Sequence, residues 1–151
     1  MYQIPEKLKN LEIYQPVTES YRVRLDANES FLDLPDSIRK EVAEAVAAIE
    51  FNRYPDPTAK ELCEKFGAFY QVKPEFLTAG NGSDELISII TQNFLDKGDT
   101  VLTVMPDFSM YGFYAKCVGA KVAAIQKEED MAVSAEDMIR QAKETGAKMI
   151  I

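Results

Sequence analysis

The chain has 151 residues, the size of one ordinary domain, and at 46% hydrophobic it has enough apolar residues for a core. Asp and Glu total 25 against 17 Lys and Arg, a net charge of -8. Such a surface repels phosphodiester backbones and argues against a nucleic-acid partner. There is no histidine, which removes the commonest general base, every Ser–His or Cys–His pairing and most zinc sites, so no metal site is expected.

Residues 1–34 carry Tyr2, Ile4, Leu8, Leu11, Ile13, Tyr14, Val17 and Tyr21 without sustained periodicity, so they read as an arm that docks on something rather than as polar disorder. A short helix near 5–10 fits the first part. Tyr21-Arg22-Val23-Arg24-Leu25 alternates as a short strand would, and Asp26-Ala27-Asn28-Glu29 reads as a turn. Pro35-Asp36-Ser37 opens a helix with Ile38, Val42, Ala45, Val46 and Ile49 on one face. Two prolines in Phe51-Asn52-Arg53-Tyr54-Pro55-Asp56-Pro57 forbid its continuation. Thr58-Ala59-Lys60-Glu61 is a capping box for the next helix, whose inward residues are Leu62, Cys63, Phe66, Phe69 and Tyr70. Gly67 inside that helix costs about 1 kcal/mol against alanine.

From residue 76 onward strands and helices alternate. A strand over 76–79 leads into Gly80-Asn81-Gly82-Ser83-Asp84-Glu85, and Leu86, Ile87, Ile90 and Phe94 then recur at helical spacing. That helix spans 84–95 and stops at Lys97-Gly98. Residues 100–104 form a strand, and Met110, Phe113, Tyr114 and Cys117 line a helix closed by Gly119. Residues 122–125 form a strand. Ser134 caps a helix closed by Gly146, and 148–151 begins another strand. Repeated βα units imply an α/β fold with a mostly parallel sheet and flanking helices. Both cysteines, Cys63 and Cys117, fall on apolar helical stripes, as buried reduced thiols do. No run of about 18 apolar residues and no secretory h-region is present, so no membrane span is expected and the chain reads as cytoplasmic. A last strand with nothing after it to leave the sheet reads as the front piece of a longer, truncated fold.

The turn between the strand at 76–79 and its helix bears most on function. Gly80 and Gly82 allow positive φ and close approach of a ligand to bare backbone. Ser83 or Asp84 stands where an N-cap belongs. The first helical N–H groups lack intrahelical partners, and the helix dipole adds positive potential, so the turn suits a phosphate. The alternative is a capped turn with no ligand. Position 85 is Glu85 rather than a third glycine, and no lysine follows Gly82 until Lys97, so neither a dinucleotide fingerprint nor a P-loop is present.

Five short patterns now stand in one order: Tyr14-Gln15, Leu25-Asp26-Ala27-Asn28-Glu29, Asn52-Arg53-Tyr54-Pro55-Asp56, Gly80-Asn81-Gly82-Ser83-Asp84-Glu85 and Pro106-Asp107-Phe108-Ser109-Met110-Tyr111. In order and spacing they resemble the class I/II pyridoxal-phosphate aminotransferases, and within them the histidinol-phosphate branch, over nearly the whole chain.

The resemblance implies a fold-type I transferase made of an N-terminal arm (1–34), a helical segment of the small domain (35–75) and the start of the large domain (76–151). It implies pyridoxal 5'-phosphate as cofactor, with Gly82, Ser83 and Asp84 at its phosphate and Phe108 stacked on its ring. Many relatives carry tyrosine where this chain has Phe108. Tyr54 matches a tyrosine that reaches the cofactor phosphate of the neighbouring subunit; its alternative is packing between two prolines. Tyr14 and Asn28 match positions near the substrate. Asp107 stands where the family often has threonine.

The lysine that carries the cofactor, the acid at the ring nitrogen and the substrate arginines match nothing within 1–151. No catalytic residue is therefore assigned here, and the chain alone is expected to be inactive. The activity implied is transamination between histidinol phosphate and 2-oxoglutarate in histidine biosynthesis, by a homodimer. The rivals are a related enzyme, such as threonine-phosphate decarboxylase or an aromatic aminotransferase, and a non-catalytic phosphate-binding or dimerisation fragment.

Overall fold

Val101-Leu102-Thr103 is a run of three buried residues, the pattern of a strand covered on both faces. The computed structural model, which describes residues 3–9, 11 and 17–151, places this run in the middle of a parallel sheet. Strand β1 (Thr100–Met105) lies between β2 (Lys121–Gln126) and β3 (Met149–Ile150). Val101 pairs with Val122 on one side and Met149 on the other, and Leu102 with Ala123 and Ile150. Val101 and Leu102 are the most deeply buried large side chains of the sheet.

Helix α3 (Ser83–Phe94) precedes β1, α4 (Met110–Val118) joins β1 to β2, and α5 (Ala135–Thr145) joins β2 to β3. The first crossover steps away from β1 in one direction and the second returns past it. Right-handed crossovers in opposite directions put their helices on opposite faces. Accordingly α3 packs on α4, while α5 packs on β1 and β2 without touching α4 substantially. Leu95, Val101, Ala115 and Ala120 form the core, with Val118, Val122, Met149 and Ile151 against it.

Gly119 at φ 84° and Gly146 at φ 63° end α4 and α5, as expected. The Ser134 hydroxyl accepts from the Asp137 N–H at 3.0 Å and donates to the Asp137 carboxylate at 2.8 Å. The starts of β1 and β3 are tied together. The Lys148 N–H donates to the Thr100 carbonyl at 2.9 Å, and its ammonium donates to Asp99 Oδ2 at 2.7 Å.

The chain divides into two compact units: residues 1–13 with 78–151, and residues 14–77. This cuts across the segments 1–34, 35–75 and 76–151, because the first residues join the α/β unit. A 3-10 turn, Glu6–Leu8, stands where a helix near 5–10 was expected, and it packs on α4.

The second unit holds α1 (Asp36–Ala47), α2 (Lys60–Tyr70) and a 3-10 turn, Pro74–Phe76. Three local expectations fail. Residues 76–79 are not a strand: Leu77 is extended, yet no neighbouring strand among the described residues pairs with it. Residues 21–25 likewise form no strand.

The capping box at Thr58 does not form either. Ala59, at φ 48°, occupies the N-cap of α2, and Asp56 does the capping. Asp56 Oδ2 accepts from the Lys60 N–H at 2.7 Å, and Oδ1 accepts from the Thr58 N–H at 2.9 Å. A carboxylate has two oxygens with which to accept such bonds, where the threonine hydroxyl has one. These bonds, the Thr58 N–H first, hold the Asp56 carboxyl below the usual carboxylate range.

Candidate active site

Helix α3 reaches β1 through a turn of a few residues, so the two run antiparallel. Their lengths match: twelve helical residues rise about 18 Å and six strand residues about 20 Å. The start of α3 therefore lies at the same end of the sheet as the end of β1 and the start of α4. This is the carboxyl end of the strands, where open α/β sheets bind ligands. Gly82, Ser83 and Asp84 stand at that end on α3, and Phe108 stands there on the loop between β1 and α4.

The N-cap of α3 is Gly82 rather than Ser83 or Asp84. Its φ of 83° and ψ of 172° lie in a region open essentially to glycine alone. Its N–H donates to the Gly80 carbonyl at 2.9 Å, closing a tight turn. With no side-chain oxygen at the cap, no hydroxyl or carboxylate covers the first N–H groups of α3. Ser83 and Asp84 supply main-chain N–H groups at the positive end of the helix instead.

The two glycines serve different needs. Gly80 has no positive φ, and a Cβ there would lie 2.9 Å from Leu86 Cδ2 and 3.0 Å from Glu85 Oε2, so any larger residue at Gly80 makes those side chains shift. A Cβ at Gly82 would meet nothing within 4 Å, so the surface in front of the helix end is open. Glu85 holds the turn from behind: its Oε2 accepts from the Asn81 N–H at 2.5 Å and from the Asn81 side-chain amide at 3.2 Å. The open cradle, uncapped donors and braced turn suit a tetrahedral dianion. Asp84 Oδ1 is buried and has no hydrogen-bond partner among the described residues. A carboxylate oxygen repels a phosphate, so what Asp84 offers an anion is its backbone N–H.

Phe108 is 45% exposed. Its ring meets Tyr111 edge to face, centroids 5.6 Å apart at 87°. Asp107 explains part of its placement, since Asp107 Oδ1 accepts from the Phe108 N–H at 2.8 Å. A second opening, about 500 Å³, lies beyond the end of β2 and is lined by Glu128, Glu129, Asp130 and Asp137. Four carboxylates do not suit a phosphate.

Asn28 and Tyr54 lie in the other unit. Asn28 takes φ 52°, a left-handed conformation that asparagine tolerates better than most residues, just after a turn braced by Arg24 on Asp26. The side chain of Tyr54 is fully exposed, so it does not pack between its prolines. Tyr14 lies outside the described residues.

Neither cysteine forms a disulfide; Cys63 is buried, and burial raises the pKa of the half-buried Cys117. The Lys148 ammonium donates to Asp99, and that bond raises its pKa above the ordinary lysine value. No helix among the described residues is long and apolar enough to cross a membrane.

Known proteins resemble this chain in sequence and in fold. Histidinol-phosphate aminotransferase of Clostridium novyi (strain NT) is 39% identical over 144 residues, 95% of this chain and 40% of the relative. That of Pyrococcus furiosus is 40% identical over 145 residues, 96% of this chain and 42% of the relative. The chain thus spans about two fifths of the length of the curated relatives it matches.

The crystal structure of histidinol-phosphate aminotransferase from Sinorhizobium meliloti in complex with pyridoxal-5'-phosphate has a TM-score of 0.74 at 18% identity, covering 82% of this chain and 33% of that one. Apo-BacF from Bacillus subtilis has a TM-score of 0.73 at 21% identity, covering 96% and 40%. At those identities the likeness is one of fold. The family model described as aminotransferase class I and II matches residues 22–151, and the chain belongs to that family.

Proposed function

We infer that this chain is the N-terminal part of a pyridoxal-phosphate-dependent aminotransferase that exchanges amino and keto groups between histidinol phosphate and 2-oxoglutarate. The observation that carries this reading is the open, uncapped start of α3 at Gly82, set at the same sheet end as the half-exposed ring of Phe108. Backbone N–H groups of Ser83 and Asp84 would hold the cofactor phosphate, and Phe108 would offer its ring face to the cofactor's ring. When bound, the cofactor supplies an electron sink for charge developing at the substrate's α-carbon. The residues of this chain bind and orient; none of them moves the substrate proton.

The histidinol-phosphate substrate is supported by the printed names of the curated relatives. Asn28 and Tyr14 are the substrate-side residues of this reading. The working unit is a homodimer in which Tyr54, exposed on its own chain, gives its hydroxyl to the phosphate bound by the other. The free cysteines accord with a cytoplasmic enzyme.

Phe108 tests the reading. In a protein of the relatives' full length that begins with this chain, Phe108→Ala is expected to weaken cofactor binding by about 1–3 kcal/mol, losing a stacked ring and leaving a gap. Phe108→Tyr is expected to be nearly neutral. Equilibrium dialysis of pyridoxal phosphate measures both without reference to turnover. An alanine variant that holds the cofactor as tightly as the parent refutes the stacking role. A parent that converts no histidinol phosphate refutes the substrate.

A further inference from the structure

At the end of the sheet opposite Gly82 and Phe108, three lysines line one opening. Lys7 on the first 3-10 turn, Lys97 before β1 and Lys116 in the last turn of α4 line one cavity of about 340 Å³, with Glu6, Gly119 and Ala120. The chain as a whole is acidic, yet none of these three lysines has a carboxylate partner among the described residues. Lys9, Lys40, Lys60, Lys65, Lys73 and Lys148 are paired, whereas Lys121, Lys127 and Lys143, which also have no carboxylate partner among the described residues, do not line this cavity. The one carboxylate lining the cavity, Glu6, is engaged by Lys9.

Lys97 is placed by packing. A Cβ on Gly119 would lie 3.3 Å from its Cγ, so the bare glycine, at φ 84°, lets the lysine stem lie across the end of α4. The carbonyl of Gly119 is taken by the Gly98 N–H at 3.0 Å, which fixes the two loops to each other.

A favourable charge at the negative end of α4 needs one lysine, and Lys116 supplies it. That leaves Lys7 and Lys97 unexplained. Lysines bind phosphate as point charges, whereas recognition of a planar carboxylate favours the guanidinium fork, and no arginine lines this cavity. A volume of 340 Å³ is within the range of small-molecule sites. We propose that Lys7, Lys97 and Lys116 form a second anion site, which binds the phosphate group of a small phosphorylated molecule. It lies about 20 Å, the length of β1, from the loop at Gly82. Occupancy ties the first residues of the chain to the end of α4.

The test titrates inorganic phosphate into the 151-residue chain and follows backbone amide shifts. Saturable shifts are expected at Lys97, Gly119 and Ala120. The Lys97→Ala/Lys116→Ala pair is expected to lose about tenfold or more in affinity, the factor of one lost charge-assisted hydrogen bond. Shifts at Ser83 and Asp84 should stay as in the parent, which separates this site from the loop on α3. Lys7→Gln, outside the sheet and helices of the core, serves if the pair unfolds, and the same direction is expected. Added potassium chloride should weaken the binding through screening. Three results overturn the proposal: no saturation at the end of α4, unchanged affinity in the variants, or citrate binding as tightly as phosphate.

Discussion

Gly67 shows how one side chain's absence is decided by its neighbours. By helix propensity a glycine inside α2 is a loss of about 1 kcal/mol against alanine. In the structure a Cβ there would lie 2.4 Å from the Val72 carbonyl oxygen, a backbone atom that cannot swing aside. The chain folds back so tightly because Gln71 ends α2 at φ 57°, and the Val72 N–H then donates to the Gly67 carbonyl at 2.9 Å. Overpacking against backbone outweighs the propensity gain. Gly67→Ala is expected to destabilise the chain by about 1–3 kcal/mol rather than stabilise it, as read from urea midpoints. A variant more stable than the parent would show that the turn after α2 relaxes freely. Nothing in the sequence around Gly67 announces this contact, which forms only when Val72 turns back. The identity of the cap at Gly82 was hidden for a related reason. Ser83 and Asp84 are both good cap residues, and only the backbone path, with φ at 83°, moves the cap one position earlier.

Among the elements, α2 carries a pH dependence. Asp56 accepts from the first N–H of α2, that of Lys60, and from the Thr58 N–H ahead of the helix, and its carboxyl is held below the ordinary range chiefly by these Thr58 and Lys60 N–H groups. A carboxylate with a folded pKa below its unfolded value, about 3.9, stabilises the fold above that value. The contribution is lost as pH falls through the folded pKa. Asp56→Asn is therefore expected to lower the urea midpoint at pH 7 and to make it less sensitive to acid below about pH 4. Equal acid sensitivity in parent and variant would show that other carboxylates carry the effect.

Helix α1 shows the opposite relation between pattern and packing. Its apolar face, Ile38, Val42 and Val46, was evident from spacing, yet all three side chains are exposed. Periodicity tells which face seeks cover; it does not supply the cover.

For the whole molecule, the proposed homodimer turns on Tyr54. Tyr54 is fully exposed in a segment stiffened by Pro55 and Pro57, so its hydroxyl can be offered to a neighbour with little entropic cost. In a two-fold dimer the same patch serves both subunits. Loss of a charge-assisted bond to a phosphate should weaken cofactor binding by about 1.5–3 kcal/mol. Mixing two full-length variants tests the direction of the contact. One carries Tyr54→Phe plus a change that disables its arm, and the other lacks the cofactor-bearing lysine. If Tyr54 acts across the dimer, mixed dimers regain one site with parental affinity. No gain over either variant, with mixed dimers shown to form, places Tyr54 in its own chain's site or in none.

The sequence by itself determined the alternation of strands and helices after residue 83, the closing glycines Gly119 and Gly146, and the loop at Gly82. Each of these rests on local chemistry: side-chain period, freedom of φ and unpaired helical N–H groups. Tertiary structure decided what local chemistry cannot. It joined the first residues of the chain to the α/β unit, since that docking depends on the surface of α4, about a hundred residues away. It left residues 76–79 without strand partners, because a strand exists only where another lies beside it. It also set Lys7, Lys97 and Lys116 around one cavity, a meeting of three distant segments that the sheet's folding creates and no local pattern records.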